Sequence, residues 1–231
     1  RSNADCDLLM EDLKNVEAWA SKNNMQINNE KLVAVRYNKR QDINGDLTLS
    51  NGHVIQEQNG ARDLGIWMSN DAKFATHIAN LTSTCKTVTS MIYRAFTSRD
   101  DDVMLTLFRS LVLSRIDYCS ILWNPTSVAE MQRLEGIQAS YTARMACAKT
   151  STGQARDYWQ RLAFLGLYSV QRRFERYAVL YIWKMYHNMV HNPGIQFKNE
   201  DTRTGLKCMV PRCQSKMREG SFLIQGPILF K

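Results

Sequence analysis

Residues 74–95, FATHIANLTSTCKTVTSMIYRA, set Phe74, Ile78, Leu81, Cys85, Val88, Ile92 and Ala95 at alternating intervals of four and three. That spacing puts all seven apolar side chains on one stripe of a single long helix. A strand cannot use it, because successive strand residues point to opposite faces. Just upstream, Ser69, Asn70 and Asp71 offer oxygens for an N-cap. Downstream, a second helix is predicted from 98–102 through Met104, Leu107, Leu111 and Ile116, and Asn124-Pro125-Thr126 breaks the chain. A third helix carries Val128, Met131, Leu134, Gln138, Tyr141 and Met145. After a loop at 150–154 come a short helix, 158–164, and a long one from 169 to about 191, stopped by Asn192-Pro193-Gly194.

Upstream the pattern differs. Leu9, Leu13, Val16 and Ala20 mark one helix, with Glu11, Asp12, Lys14 and Glu17 facing away, ending at Asn23-Asn24. Leu32, Val33, Val35 and Tyr37 then read as a strand. Segments 46–50 and 53–57 flank Asn51-Gly52, a hairpin signal, and 64–68 reads as a further strand with a bulge at Gly65. The fold class is therefore α+β: a small hairpin-containing β-region (1–75), a mainly α-helical bundle (76–191) and an extended, poorly ordered basic tail (192–231).

Composition narrows the function. The 231 residues are 44% hydrophobic and 23% charged, enough for a packed core in one or two domains. The net charge of +8 is uneven: −2 over residues 1–75, +2 over 76–150 and +8 over 151–231. A polyanionic partner at the basic end is the natural expectation. No apolar run approaches the roughly 18–20 residues a membrane span needs, so no membrane role is expected. The polar start has no secretory h-region and no initiator Met, which suggests a fragment or processed chain. Six scattered cysteines suggest a reducing, intracellular compartment, nuclear or cytoplasmic.

Three constellations carry possible chemistry. Asp100-Asp101-Asp102 looks like a metal cluster, but consecutive residues diverge, and the position favours charges at a helix N-terminus. His187 and His191 with Cys208 and Cys213 have zinc-ligand chemistry, though without the tight two-residue cysteine spacing. Arg156, Arg161, Arg172, Arg173 and Arg176 are interleaved with Tyr158, Trp159, Phe174, Tyr177 and Tyr181. Guanidinium forks match phosphate oxygens and aromatic faces stack on bases, so these arginines are candidate nucleic-acid contacts. The aromatics serve equally well as helix core. No nucleophile elbow, phosphate loop or dinucleotide fingerprint occurs.

The order of several short stretches resembles the C-terminal part of the reverse transcriptase of non-LTR (LINE-type, jockey-like) retrotransposons. They are Trp19 with Met25-Gln26-Ile27-Asn28 and Lys31, Leu64-Gly65-Ile66 with His77-Ile78, and Arg94-Ala95-Phe96. Next come Ser110-Leu111-Val112, Ile116-Asp117-Tyr118-Cys119-Ser120, Leu122-Trp123-Asn124-Pro125 and Leu134-Glu135-Gly136-Ile137-Gln138. Tyr158-Trp159-Gln160-Arg161-Leu162 and Leu165-Gly166-Leu167 leading into Arg172-Arg173 complete the series. The resemblance implies that 1–75 is the end of a palm and 76–191 a helical thumb with its linker. It implies template–primer RNA or DNA as partner, with the upstream palm and fingers of the same polypeptide.

Lys31 would act near the incoming nucleotide's phosphates, stabilising the leaving group; a solvated strand-edge lysine is the alternative. Leu64, Gly65 and Ile66 would form a primer grip. Family members hold two Mg²⁺ ions on an aromatic-containing Asp-Asp turn, which this sequence lacks. No cofactor is therefore expected in this chain, and polymerisation by it alone is not. The resemblance also implies truncation at both ends. A separate possibility is a helical protein-interaction module, a domesticated relic binding through the Phe74–Ala95 stripe.

Overall fold

The computed structural model describes residues 3–37, 47–125, 127–199, 206–213 and 216–230. Asp46 of the expected hairpin and Thr126 of the expected break lie outside them. The chain divides into two compact units, residues 1–76 and 77–231.

In the first unit, α1 (Asn3–Lys22) ends at the two asparagines. Asn24 takes φ +53°, which lets the Met25 N–H reach the Ala20 carbonyl at 2.8 Å and satisfy an orphan acceptor. A 3₁₀ turn (Asn29–Lys31), capped by the Asn28 side chain, leads into β1 (Val33–Val35). β1 pairs in parallel with β2 (Gln56–Gln58), Val33 opposite Gln56. Between them the Asn51-Gly52 signal is realised as a turn: the Leu49 N–H donates to the His53 carbonyl at 2.9 Å and Gly52 has φ +85°. The Glu17 carboxylate receives the Ser50 hydroxyl at 2.7 Å, fastening α1 to that turn.

β3 (Gly60–Asp63) and β4 (Ile66–Ser69) form an antiparallel pair with Asp63 opposite Ile66. Leu64 and Gly65 are therefore the turn itself, where the sequence suggested a strand with a bulge. Both have positive φ, +44° and +89°, and such a two-residue turn matches the twist of its strands. The apolar face of α1 is only partly covered. Ala20 is buried, whereas Leu9 and Val16 are more than half exposed, because two short strand pairs supply little covering surface.

In the second unit, α2 (Ala75–Ala95) buries Ile78, Cys85 and Ile92 almost completely. α3 (Asp101–Phe108) is capped by Asp100, whose carboxylate accepts from the Asp102 and Val103 N–H groups. Asp101 accepts from the Cys147 N–H at 2.8 Å. Two of the three aspartates thus serve the helix start and its neighbour. The helix passes through a π turn (Arg109–Leu113) into α4 (Ser114–Asp117), and Cys119, at φ +50°, turns the chain into α5 (Ser120–Trp123). α6 (Val128–Thr142), α7 (Tyr158–Leu165) and α8 (Val170–Tyr186) follow. α7 has a reciprocal Asp157–Gln160 capping box and stops at Gly166 with φ +60°.

α6 is the centre of this unit. Leu134, Ile137, Gln138, Tyr141 and Thr142 are all essentially buried. The Tyr141 hydroxyl donates to the Met104 carbonyl of α3 at 2.8 Å, while its ring stacks on Phe108 at 4.4 Å. Tyr93 of α2 donates to the Tyr141 carbonyl at 2.6 Å. Gln138 donates to the Tyr158 hydroxyl and the Tyr168 carbonyl, both at 3.0 Å. The Glu135 carboxylate accepts from the Tyr158 hydroxyl and, at 2.9 Å, from the Val170 N–H at the start of α8.

The described part of the tail carries strands and helices where the sequence suggested extended structure. After α8, β5 (Phe197–Asn199) pairs antiparallel with β6 (Leu206–Cys208), and α9 (Lys216–Glu219) and α10 (Phe222–Phe230) follow. Ile182 and Met185 of α8 form a buried cluster with Ile195 and Cys208, onto which Phe197, Phe222 and Leu223 pack. Gly226 permits the approach of α10, since a Cβ there would lie 3.1 Å from Ile182 Cδ1. The short apolar run Phe222–Phe230 has no polar face, so periodicity alone did not reveal it as a helix.

If Tyr141 works through both its ring and its hydroxyl, the two contributions separate by mutation. Tyr141→Phe should lower stability by about 1–2 kcal/mol through the lost hydrogen bond to the Met104 carbonyl. Tyr141→Ala should cost about 3–5 kcal/mol through the cavity. Urea unfolding of both variants tests this; equal costs would contradict a separate role for the hydroxyl.

Candidate nucleic-acid interface

The five arginines singled out by sequence divide into two groups. Arg161 is only 9% exposed. Its donors reach the Thr142 hydroxyl at 3.1 Å, the Arg156 carbonyl at 2.7 Å and the Ala139 carbonyl at 3.3 Å, so it ties α7 to α6. Arg173 forms a two-point pair with the Asp117 carboxylate, which the Tyr177 hydroxyl also meets at 3.0 Å. That pair joins the end of α4 to α8. A guanidinium with its donors turned into the fold is not presented to phosphate, so these two are structural.

Of the other three, Arg156 is half-buried, whereas Arg172 and Arg176 are exposed. Arg156 donates to the Cys147 and Lys149 carbonyls at 2.9 and 3.0 Å, with its guanidinium 4.4 Å from the Phe164 ring. Arg172 is largely exposed and pairs with Glu175 at 3.2 Å. A screened surface pair of this kind holds its partners weakly. Arg176 is exposed and lies over the Tyr168 ring at 5.3 Å. Arg172 and Arg176, four residues apart, share one face of α8. Trp159, Phe164 and Tyr168 expose about half or more of their surface alongside. Cations braced on exposed ring faces can meet phosphates and leave the aromatic edges for bases or sugars.

Phe174, by contrast, is buried against Trp123 at 5.4 Å, so this aromatic of the interleaved set is core. Of the Phe74–Ala95 stripe, Ile78, Cys85 and Ile92 are buried, Phe74, Leu81 and Val88 are half-buried and Ala95 is exposed.

In the first unit, Lys31 lies exposed at the end of the 3₁₀ turn before β1. Leu64 is 82% exposed at the tip of the β3–β4 turn, while Ile66 is buried at 4%. The primer-grip candidates therefore split into an outward apolar tip, a turn glycine and a core residue. A left-handed leucine costs about 1–2 kcal/mol, and such strain is a pointer to function when the side chain is held outward.

The zinc candidates do not converge. Cys208 is buried in the apolar cluster, and the His187 ring lies tilted against Trp183 at 4.2 Å. Among the described residues no three His, Cys, Asp or Glu side chains are grouped to hold a metal ion. No described helix is long and apolar enough to cross a membrane.

Sequence reading did not single out Asp117 or Glu135, although both fasten α8. The available signal was a carboxylate beside a helix's apolar stripe, each next to an obligatory core residue, Ile116 and Leu134. Burial pushes the Tyr93 hydroxyl up to about 12, against a lowering by Arg144 and Arg99.

No protein-family profile, curated protein or solved structure matches this chain.

Two outcomes follow. Leu64→Asn should raise stability by roughly 0.5–1 kcal/mol, since asparagine tolerates the left-handed region; a lowered melting temperature would show that Leu64 packs. Tyr93 disfavours ionisation in the fold, so its contribution is intact below pH 10 and lost as pH rises towards 12. Absorbance titration at 295 nm should show this tyrosine ionising after the exposed ones, with unfolding following; ionisation at pH 10 in the folded state would contradict it.

Proposed function

We propose that the chain is the nucleic-acid-gripping part of an RNA-directed DNA polymerase of the non-LTR retrotransposon type. In this reading the first unit corresponds to the end of a palm and the second to a helical thumb with its linker. The observation that supports it best is the outward surface of α7 and α8: Arg172 and Arg176 on one helical face, Arg176 over Tyr168, Arg156 over Phe164, and Trp159 65% exposed. The motif order along the chain supports it independently.

The grip would work by charge and shape. Arg172 would exchange its weak pairing with Glu175 for a phosphate, and Arg176 would present a second. Such contacts hold a duplex with little sequence preference, as a polymerase that must copy any template requires. The Leu64 tip would lie against a sugar or base edge, where an apolar side chain displaces water without demanding a hydrogen bond. Lys31 would supply a mobile cation for a phosphate.

Nucleotidyl transfer in this enzyme class uses two metal ions on convergent carboxylates. This sequence has no aromatic-containing Asp-Asp turn, and the described residues offer no metal-holding group. No catalytic step is assigned to its residues.

Binding of a fluorescein-labelled RNA–DNA hybrid, read by anisotropy between 50 and 200 mM KCl, tests the proposal. The expected result is a steep loss of affinity with salt, and a log–log slope shallower by about two for Arg172→Gln/Arg176→Gln. Absence of binding at 50 mM, or binding indifferent to salt, would overturn it. Primer extension with Mg²⁺ and dNTPs should show no incorporation by this chain alone.

A further inference from the structure

Arg144 lies two residues beyond the end of α6 and is exposed. Its guanidinium carbon is 3.8 Å from the centroid of the Tyr93 ring. That ring is held at both ends: Tyr93 is 5% exposed, and its hydroxyl is bonded to the Tyr141 carbonyl. A second guanidinium, Arg99, is 5.0 Å from the same ring. The two differ in what their donors do. Arg99 spends its N–H groups on the Phe96, Ser98 and Tyr93 carbonyls and so closes the end of α2. Among the described residues, the guanidinium of Arg144 has the ring beneath it and no hydrogen-bond acceptor.

Two guanidiniums thus share one aromatic ring, and among the described residues neither is in an ion pair with a carboxylate. Asp101 is the acidic group that acts on Tyr93, and one of its oxygens already accepts the Cys147 N–H. The negative end of the α6 dipole offsets only about half a charge. What is left is a planar guanidinium lying over a buried ring, its donors without an acceptor among the described residues and a second cation beside it. The unit that carries it has 21 basic and 11 acidic residues.

We infer that Arg144, braced on Tyr93 and flanked by Arg99, is a preformed anchor for a phosphate group, and that this phosphate belongs to a nucleic-acid backbone. The assignment of the phosphate's source rests on the function proposed above; the anchor itself rests on the geometry. Stacking removes most of the rotamer freedom an exposed arginine would otherwise lose on binding, and the flat fork presents two parallel donors to two phosphate oxygens. Lysine could supply the charge but not the fork.

Two measurements on the full chain test this. In hybrid-binding titrations against KCl, Arg144→Gln should reduce the log–log slope by about one. Arg144→Lys should keep the slope while weakening affinity several-fold. Arg144→Met, which leaves an aliphatic stem on the ring, replaces Arg144→Gln if the latter unfolds. In parallel, the Arg144 Nε resonance is followed while inorganic phosphate is added, and a saturable shift is expected. If the wild type binds hybrid and neither neutral variant changes the slope, the anchor is overturned and the function stands. If the wild type does not bind hybrid but phosphate moves the resonance, the anchor stands and the function falls. If neither occurs, both fall.

Discussion

Tyr141 holds three helices at once. Its ring lies on Phe108, its hydroxyl satisfies a carbonyl of α3, and its own carbonyl receives Tyr93 of α2. One turn earlier on α6, Gln138 and Glu135 do the same for α7 and α8. Burying a polar group costs free energy unless it is paired, and a paired one fixes the position of its partner more narrowly than apolar contact can; Gln138 is paired through its Nε2, while its Oε1 is buried without a partner. The second unit is thus organised by hydrogen bonds radiating from one central helix, with the apolar core filling the space between them.

That arrangement decides which charges face the solvent. Arg161 is drawn inward because α6 ends beside it, with the Thr142 hydroxyl and the Ala139 carbonyl as acceptors. Arg173 is drawn inward by Asp117 at the end of α4. Arg172 and Arg176 have no acceptor of comparable depth. Arg144 is stopped at the surface by the same Tyr93 ring that Tyr141 positions. The proposed grip and the core are therefore two sides of one set of helices, and loosening α6 would misplace the exposed cations without removing any of them.

The helical part was the more legible in sequence. The stripe at Ile78, Cys85 and Ile92 and the buried positions Leu134, Gln138 and Tyr141 follow directly from helical period, because a helix reports its own face. What stayed hidden depends on residues far apart in the chain. The parallel pairing of Val33 with Gln56 has no local signature. Arg161 and Arg173 look like their exposed neighbours until Thr142 and Asp117, 19 and 56 residues away, are brought beside them. The Leu64-Gly65 turn has the sequence look of a strand because leucine is not a typical turn residue, and its positive φ is visible only in the structure.

The central claim is that the outward face of the second unit, together with the Leu64 tip of the first, contacts nucleic acid while the polar groups of α6 hold the fold. Hydrogen–deuterium exchange with and without an RNA–DNA hybrid addresses it most directly. The account predicts slowed exchange in peptides covering residues 60–69, 93–99, 144–149 and 156–176, with α6 equally protected in both states. Protection confined to the exposed face of α1, or no change anywhere at saturating hybrid, would contradict it.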